Sequence, residues 1–112
     1  MYDGTMTQAT RQERGAEQDD AAYFRHLADA WYEETGGISI LSKRIAHPAY
    51  HKVMAMGRDA LPFLFRELRD TPEYWFWALH CITRESPVRT GATFDQTVED
   101  WLSWGRAHGY LD

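Results

Sequence analysis

The chain has 112 residues, of which 44% are hydrophobic and 26% charged, a net charge of −5 and one cysteine. This length suits one small domain, and a single cysteine excludes an intramolecular disulfide framework. The negative charge disfavours broad electrostatic binding to nucleic acid or anionic lipid, which needs clustered Lys and Arg. Because no apolar run approaches a membrane span and no signal-peptide core is evident, we expect no membrane association and a cytoplasmic location.

The N-terminal segment differs in composition from the rest of the chain. Residues 1–18 are polar and without periodicity, which predicts a disordered tail, followed by a single helical domain over residues 19–112. Asp19 or Asp20 is expected to cap a first helix of about sixteen residues. A buried stripe marks this helix, and two glycines end it: Phe24, Leu27, Ala28 and Trp31, then Gly36 and Gly37.

Two short helices are predicted next. Ile38, Leu41 and Ile45 have helical spacing, although the β-branched start leaves an extended opening at Ile38 as an alternative. Pro48 favours the first position of a new helix, with His47 as its N-cap, and Gly57 is expected to close it.

The stretch from Met54 to Val88 holds most of the aromatic and aliphatic mass and predicts two central helices. Asp59 is expected to cap the first of them, with Pro62 tolerated in its first turn. Its apolar stripe has i, i+3, i+4 and i+7 spacing: Leu61, Leu64, Phe65 and Leu68.

The second central helix is predicted over residues 72–83, with Thr71 as N-cap and Pro72 at the first position. Two apolar stripes run along it, so we expect neighbours packed on both sides and a buried, inert thiol at Cys81. One stripe contains Trp75, Ala78, Leu79 and Ile82, and the other contains Tyr74, Trp77 and Cys81.

The C-terminal part predicts a loop over residues 84–93 and one last helix. Thr93 and Gln96 have the spacing of a capping box, and Gly109 is expected to end the helix. Its buried face carries Val98, Trp101 and Leu102, with Trp104 just off it. No stretch shows strand alternation, so the predicted fold is an all-α compact bundle of about five short helices.

Sequence motifs in this chain resemble those of two groups of proteins. The segment MGRDALPFLFREL is similar to a HEAT-like repeat, which implies a HEAT-like central hairpin around Gly57 and Thr71. More broadly, residues 20–111 resemble a group of small uncharacterised bacterial all-helical proteins, through HPAY, the same MGRDALPFLFREL, YWFWALHCIT, SPV and EDWLSWGRAHGY. The resemblance brings no catalytic residues, and HEAT repeats act as binding scaffolds, so it favours binding.

No pattern of catalytic or metal-binding residues emerges. His47 and His51 have i, i+4 spacing, but Pro48 spoils a shared face, so surface or capping roles are favoured over metal binding. His80 and Cys81 are adjacent on a helix and do not face each other. We therefore predict no catalytic residue, no metal and no cofactor. The acidic residues around the central helices are expected on the solvated face: Glu67, Asp70, Glu73 and Glu85.

Basic and aromatic residues supply the two binding hypotheses. A cluster of cations is a candidate contact to phosphates: Lys43, Arg44, Lys52 and Arg58. Several aromatic side chains exceed what one small core can hold, and Trp and Tyr are favoured anchors of protein interfaces. The candidate partner-binding residues are Phe63, Tyr74, Trp77 and Trp104.

The leading hypothesis is a small protein-interaction module that binds a protein partner or itself. Its acidic balance would suit an inhibitor, an antitoxin-like protein or an accessory subunit. The alternative is a nucleic-acid-associated regulator that uses the basic cluster, and a small enzyme is the third hypothesis.

Overall fold

The computed structural model describes residues 3–112, with side chains from Gln18 onward. Within these residues the chain forms six α-helices, one 3-10 helix and no strand, which confirms the predicted all-α bundle. The helices are α1 (Asp3–Thr35), α2 (Leu41–Ile45), α3 (Pro48–Ala55), the 3-10 helix (Gly57–Ala60), α4 (Leu61–Asp70), α5 (Phe76–Thr83) and α6 (Phe94–Ala107). The HEAT-like character of the central hairpin stays a prediction.

Helix α1 begins ahead of the predicted caps at Asp19 and Asp20. Its last residue is Thr35, directly before the two glycines that were expected to end it. The predicted disordered tail covers residues 1–18. Met1 and Tyr2 lie outside the described residues, and in the rest of this segment only the side chain of Gln18 is described. The disorder of the tail stays a prediction.

Three of the predicted helix boundaries are confirmed by local hydrogen bonds and backbone angles. His47 caps α3, since its Nδ1 accepts from the N–H of Ala49 at 3.0 Å. The capping box of α6 is complete, with both bonds between Thr93 and Gln96 at 3.1 Å. Gly57 follows α3 with a φ of 66°, a left-handed conformation that favours glycine.

Two predicted N-caps are wrong. Asp59 lies inside the 3-10 helix, and α4 starts at Leu61 without a side-chain cap, with Pro62 in its first turn as expected. Thr71 does not cap a helix at Pro72, because α5 begins only at Phe76. The predicted core helix is therefore four residues shorter at its N-terminus.

The late start of α5 has a tertiary cause in the hydroxyl of Tyr50, a fully buried residue of α3. This hydroxyl donates to the carbonyl of Tyr74 at 3.0 Å and accepts from the N–H of Ala78 at 3.0 Å. Ala78 is the third residue of α5, and its N–H is a donor that an N-cap side chain normally satisfies. A side chain from another helix thus caps α5.

Replacing Tyr50 with Phe is expected to lower the free energy of unfolding by about 1–2 kcal/mol, because a cap is lost and two backbone groups, one of them buried, lose this partner. Burial also raises the pKa of Tyr50, so folding favours the protonated phenol. That contribution is fully present below the ordinary pKa of about 10 and is lost as the pH rises above it.

Urea unfolding at about pH 8 and about pH 11 measures both effects. Tyr50→Phe should lose less stability between the two pH values than the parent protein, and Tyr23→Phe, at an exposed tyrosine, should behave as the parent does. Equal stability of parent and Tyr50→Phe at neutral pH would contradict the capping role.

The core is an aromatic centre wrapped by aliphatic side chains. Trp31 and Trp75 have ring centroids 4.6 Å apart, and Tyr50 stacks on Trp75 at 5.2 Å with an interplanar angle of 9°. All three rings have no exposed surface. The predicted stripe of α4 is likewise fully buried, which confirms it: Leu61, Leu64, Phe65 and Leu68.

Helices α4 and α6 pack closely at Gly105. A Cβ atom at this position would lie 2.7 Å from Cδ1 of Phe65, a distance that real contacts do not reach. Phe65 is fully buried and also stacks on Tyr110 at 5.4 Å, so its ring has little room to move. The missing side chain of Gly105 is therefore what allows the two helices to meet.

Gly105→Ala is expected to lower the free energy of unfolding by about 1–2 kcal/mol through overpacking. In an exposed helix interior the same change would stabilise the protein, since Ala has the better helix propensity. Ser103→Ala, an exposed position of α6, is the matched control and should be neutral or slightly stabilising. Urea denaturation of the two variants decides the sign, and a stabilised Gly105→Ala would show that Phe65 yields.

Candidate functional site

An open apolar groove of about 410 Å³ lies on the described surface. Its walls come from α2, from α5, from the loop over residues 84–93 and from α6. None of the lining residues is Asp, Glu, Lys or Arg, although the chain carries a net charge of −5. The groove is lined by Leu41, Ile45, Tyr74, Phe76, Trp77, His80, Ser86, Val88, Thr97 and Trp101.

One apolar stripe of α5 is buried in the core and the other is exposed, and the exposed stripe forms part of the groove. Trp75, directly before the helix, and Ala78 and Leu79 within it are fully buried where α5 packs against α3 and α4. Trp77 lies about 100° around the helix from Ala78 and is 49% exposed. The prediction of a buried thiol is wrong, because Cys81 lies one turn from Trp77 on this outer stripe and is exposed.

Three exposed large hydrophobic side chains line this groove. Among the described residues, six large hydrophobic side chains are exposed, and Leu41, Tyr74 and Trp77 line the groove itself. Ile38 and Ile40 precede Leu41 by one to three residues. The sixth, Tyr23, lies on α1. We call the groove together with Ile38 and Ile40 the groove face.

The structure brings together two of the four predicted partner-binding residues. Tyr74 and Trp77 both line the groove. Phe63 is half-buried and stacks on Phe24 at 5.9 Å, and it does not line the groove. Trp104 is half-buried and stacks on His108, with centroids 3.8 Å apart. The groove is therefore built around α5.

His80 provides the main polar group of the groove. Its Nδ1 lies 2.9 Å from the carbonyl oxygen of Glu85 and 3.2 Å from Oγ of Ser86. Because a carbonyl oxygen can only accept, Nδ1 carries the proton, and Nε2 is left as an acceptor in the neutral ring. Ser86 and Thr97 also line the groove and were not predicted to do so, since only the fold brings the loop and α6 to α5.

The four candidate basic residues lie in different environments. Arg44 is mostly covered: its guanidinium lies 4.8 Å from the ring centroid of Trp31 and 3.5 Å from a carboxylate oxygen of Glu73. Arg58 lines a second pocket, of about 300 Å³, together with Asp20 and Asp59. Lys43 and Lys52 are exposed. Two of the four cations thus have acidic neighbours within the protein.

A buried carboxylate on α4 corrects another expectation. Glu67 was predicted on the solvated face, yet it is only 7% exposed. It accepts from both terminal nitrogens of Arg25, at 2.8 and 3.2 Å, and from the hydroxyl of Tyr32 at 2.6 Å. That hydroxyl in turn accepts from the indole N–H of Trp75 at 3.0 Å. The chain of bonds ties α1 to α4 and to the start of α5.

Electrostatics within this network follow from the same contacts. The hydrogen bond to Glu67 raises the pKa of Arg25, and burial together with the bond to Glu67 raises the pKa of Tyr32. Arg25 therefore stays charged and Tyr32 stays protonated at neutral pH, and the carboxylate oxygens of Glu67 accept hydrogen bonds from both side chains. The network holds helices together and offers no free acid or base.

His47 and His51, the two histidines with i, i+4 spacing, have different environments. His47 uses Nδ1 for the cap of α3, while its Nε2 lies 3.0 Å from a carboxylate oxygen of Glu34. His51 is exposed. Over residues 18–112, no three His, Cys, Asp or Glu side chains are grouped so that they could hold a metal ion.

Comparison with known proteins yields no relative. No protein-family model matches the chain, and neither a curated protein nor a solved structure matches it. In the described part of the chain, no helix combines the length and the apolar character that a membrane span requires.

Proposed function

We propose that the protein is a small interaction module that binds another protein molecule through the groove face. The observation that carries this proposal is the half-exposed Trp77 on the wall of an uncharged apolar groove. Tryptophan is among the most frequent anchors of protein interfaces, and exposed apolar patches of this kind mark binding surfaces. An incoming apolar side chain would fill the groove, and His80 and Ser86 on its wall would offer hydrogen bonds to polar groups of the partner next to that side chain.

The remaining details of this function are also proposals. A cytoplasmic location suits the exposed thiol of Cys81, which stays reduced in that compartment. The inhibitor or antitoxin-like role is supported by small size and acidic charge alone.

Affinity capture tests this function with three forms of the full chain after nuclease treatment: the parent, Trp77→Ala and Tyr23→Ala. Tyr23 is a matched control, because it is an aromatic residue exposed to 45% and lies on α1 away from the groove face. Bound protein, including a second copy carrying a different tag, should be retained by the parent and by Tyr23→Ala and lost by Trp77→Ala. Equal retention by all three would contradict the proposal.

A further inference from the structure

We propose that the groove face binds a second copy of this chain, so that Trp77 of each copy enters the groove of the other. This inference rests on the proposed function and names its partner. In a two-fold dimer the same patch must serve both copies and therefore be complementary to itself. The groove face meets this condition in shape, hydrogen bonding and charge.

Shape is the first argument. The groove face carries both a projecting side chain, the 49% exposed Trp77, and a concave site of about 410 Å³ beside it. A two-fold axis near α5 would place each projecting indole over the other copy's groove. A patch with only a groove, or only a projecting ring, would need a different partner.

Hydrogen bonding is the second argument. Within residues 18–112, neither the indole N–H of Trp77 nor Nε2 of His80 has a hydrogen-bond partner. Trp77 is only a donor, and the neutral ring of His80, held by the carbonyl of Glu85, offers an acceptor at Nε2. Each copy thus brings one donor and one acceptor, and a two-fold contact pairs them twice.

Charge is the third argument. Two copies with a net charge of −5 each repel each other, and this repulsion is weakest when few unpaired carboxylates lie in the contact area. No charged residue lines the groove, and the nearby Asp100 is paired with Arg89 at 2.7 Å. Asp95 and Glu99 lie on the opposite side of α6 from Thr97, since residues two apart on a helix are separated by about 200°.

The number of exposed apolar side chains is the fourth argument. A standard interface covers about 800 Å² on each partner, with an apolar centre and a polar rim. Trp77, Tyr74 and Leu41 on the groove would supply the apolar centre of such a contact, with Ile40 and Ile38 next to Leu41 in the chain; these are five of the six exposed large hydrophobics among the described residues.

Sedimentation velocity on the full chain over a dilution series tests this inference. The parent and Tyr23→Ala should form dimers, and Trp77→Ala should raise the dimer dissociation constant by roughly 100-fold or more, because an anchor is lost from both copies. His80→Phe keeps a ring in place but removes the acceptor, and should raise it by roughly 30-fold through two lost hydrogen bonds. Leu41→Glu, at a lining position on α2, should also give monomers, and it shows that the effect of Trp77→Ala is not a folding defect of that one variant.

Cross-linking at Cys81 gives an independent readout. As the chain's single cysteine, one turn from Trp77, it can form only an intermolecular link. A short bismaleimide should yield covalent dimers of the parent and of Tyr23→Ala, and far fewer with Trp77→Ala. A dimer that persists unchanged in Trp77→Ala and Leu41→Glu would overturn the inference.

The failure of this inference and that of the proposed function give different results. A monomeric parent that still captures another protein through Trp77 overturns self-association and leaves the interaction module intact. A monomeric parent with no Trp77-dependent binding of any protein overturns both.

Discussion

Trp31→Ala is expected to lower the free energy of unfolding by about 3–5 kcal/mol. Trp31 has no exposed surface, and its ring lies 4.6 Å from Trp75 and 5.3 Å from Tyr50, centroid to centroid. Its indole N–H also donates to the carbonyl of Arg44 at 2.7 Å, and the Arg44 guanidinium lies over the ring. Truncation would open a large cavity and remove this hydrogen bond, leaving the Arg44 carbonyl with the N–H of His47 as a donor, at 3.2 Å.

Chemical denaturation followed by circular dichroism measures this loss. Small domains are stable by about 5–15 kcal/mol, so Trp31→Ala should be partly unfolded at physiological temperature. Trp77→Ala is the matched control, because it removes the same side chain from the surface, and its free energy of unfolding should stay within about 1 kcal/mol of the parent. Similar losses for the two variants would contradict the assignment of Trp31 to the core and Trp77 to the groove face.

Glu67→Gln is expected to lower the free energy of unfolding by about 2–3 kcal/mol. The substitution keeps the shape but removes the charge that receives two hydrogen bonds from Arg25, and it places an amide N–H₂ among donors. The tyrosine bond at 2.6 Å is weakened as well. Arg25 is half-exposed, so water takes over part of its interaction, and the loss stays below that of a fully buried pair.

Asp70→Asn provides the comparison for this prediction. Asp70 also pairs with an arginine, Arg69, at 2.8 Å, but both side chains are exposed to solvent. Exposed ion pairs contribute about 0–1 kcal/mol, so this variant should differ little from the parent. Urea denaturation of both variants measures the difference, and equal effects would show that the burial of Glu67 adds nothing to its bonds.

Local sequence patterns predicted the parts of the fold that local interactions decide. The capping box at Thr93, the cap at His47 and the stripe of α4 depend on residues within two turns of each other. The start of α5 could not be predicted this way, because the hydroxyl of Tyr50 that caps it lies 28 residues before Ala78.

Burial of a polar or an ambiguous residue was equally beyond local reasoning. Glu67 has charged neighbours on α4, and only the approach of Arg25 and Tyr32 from α1 makes its burial favourable. Both stripes of α5 are apolar, so the sequence does not say which of them faces the core. The stripe that stays exposed forms the site, because it leaves both Trp77 and the nearby Cys81 on the surface.

Half of the predicted partner-binding residues therefore lie at the candidate site. Aromatic excess in the sequence indicated a surface role for some of the rings, and Tyr74 and Trp77 do meet at one groove. Phe63 and Trp104 instead stack on other rings beside the core: Phe63 on Phe24, and Trp104 on His108.

An indole-resolved ¹⁵N NMR dilution series tests the central claim, that the groove around Trp77 is the binding face, most directly. The chain has five tryptophans, each giving one indole signal, and the Trp77→Phe variant identifies the one from Trp77. We predict that this signal moves as the protein concentration rises, while the signals of Trp31 and Trp75 stay in place. A Trp77 signal that stays fixed, both on concentration and on addition of a captured partner, would contradict the account.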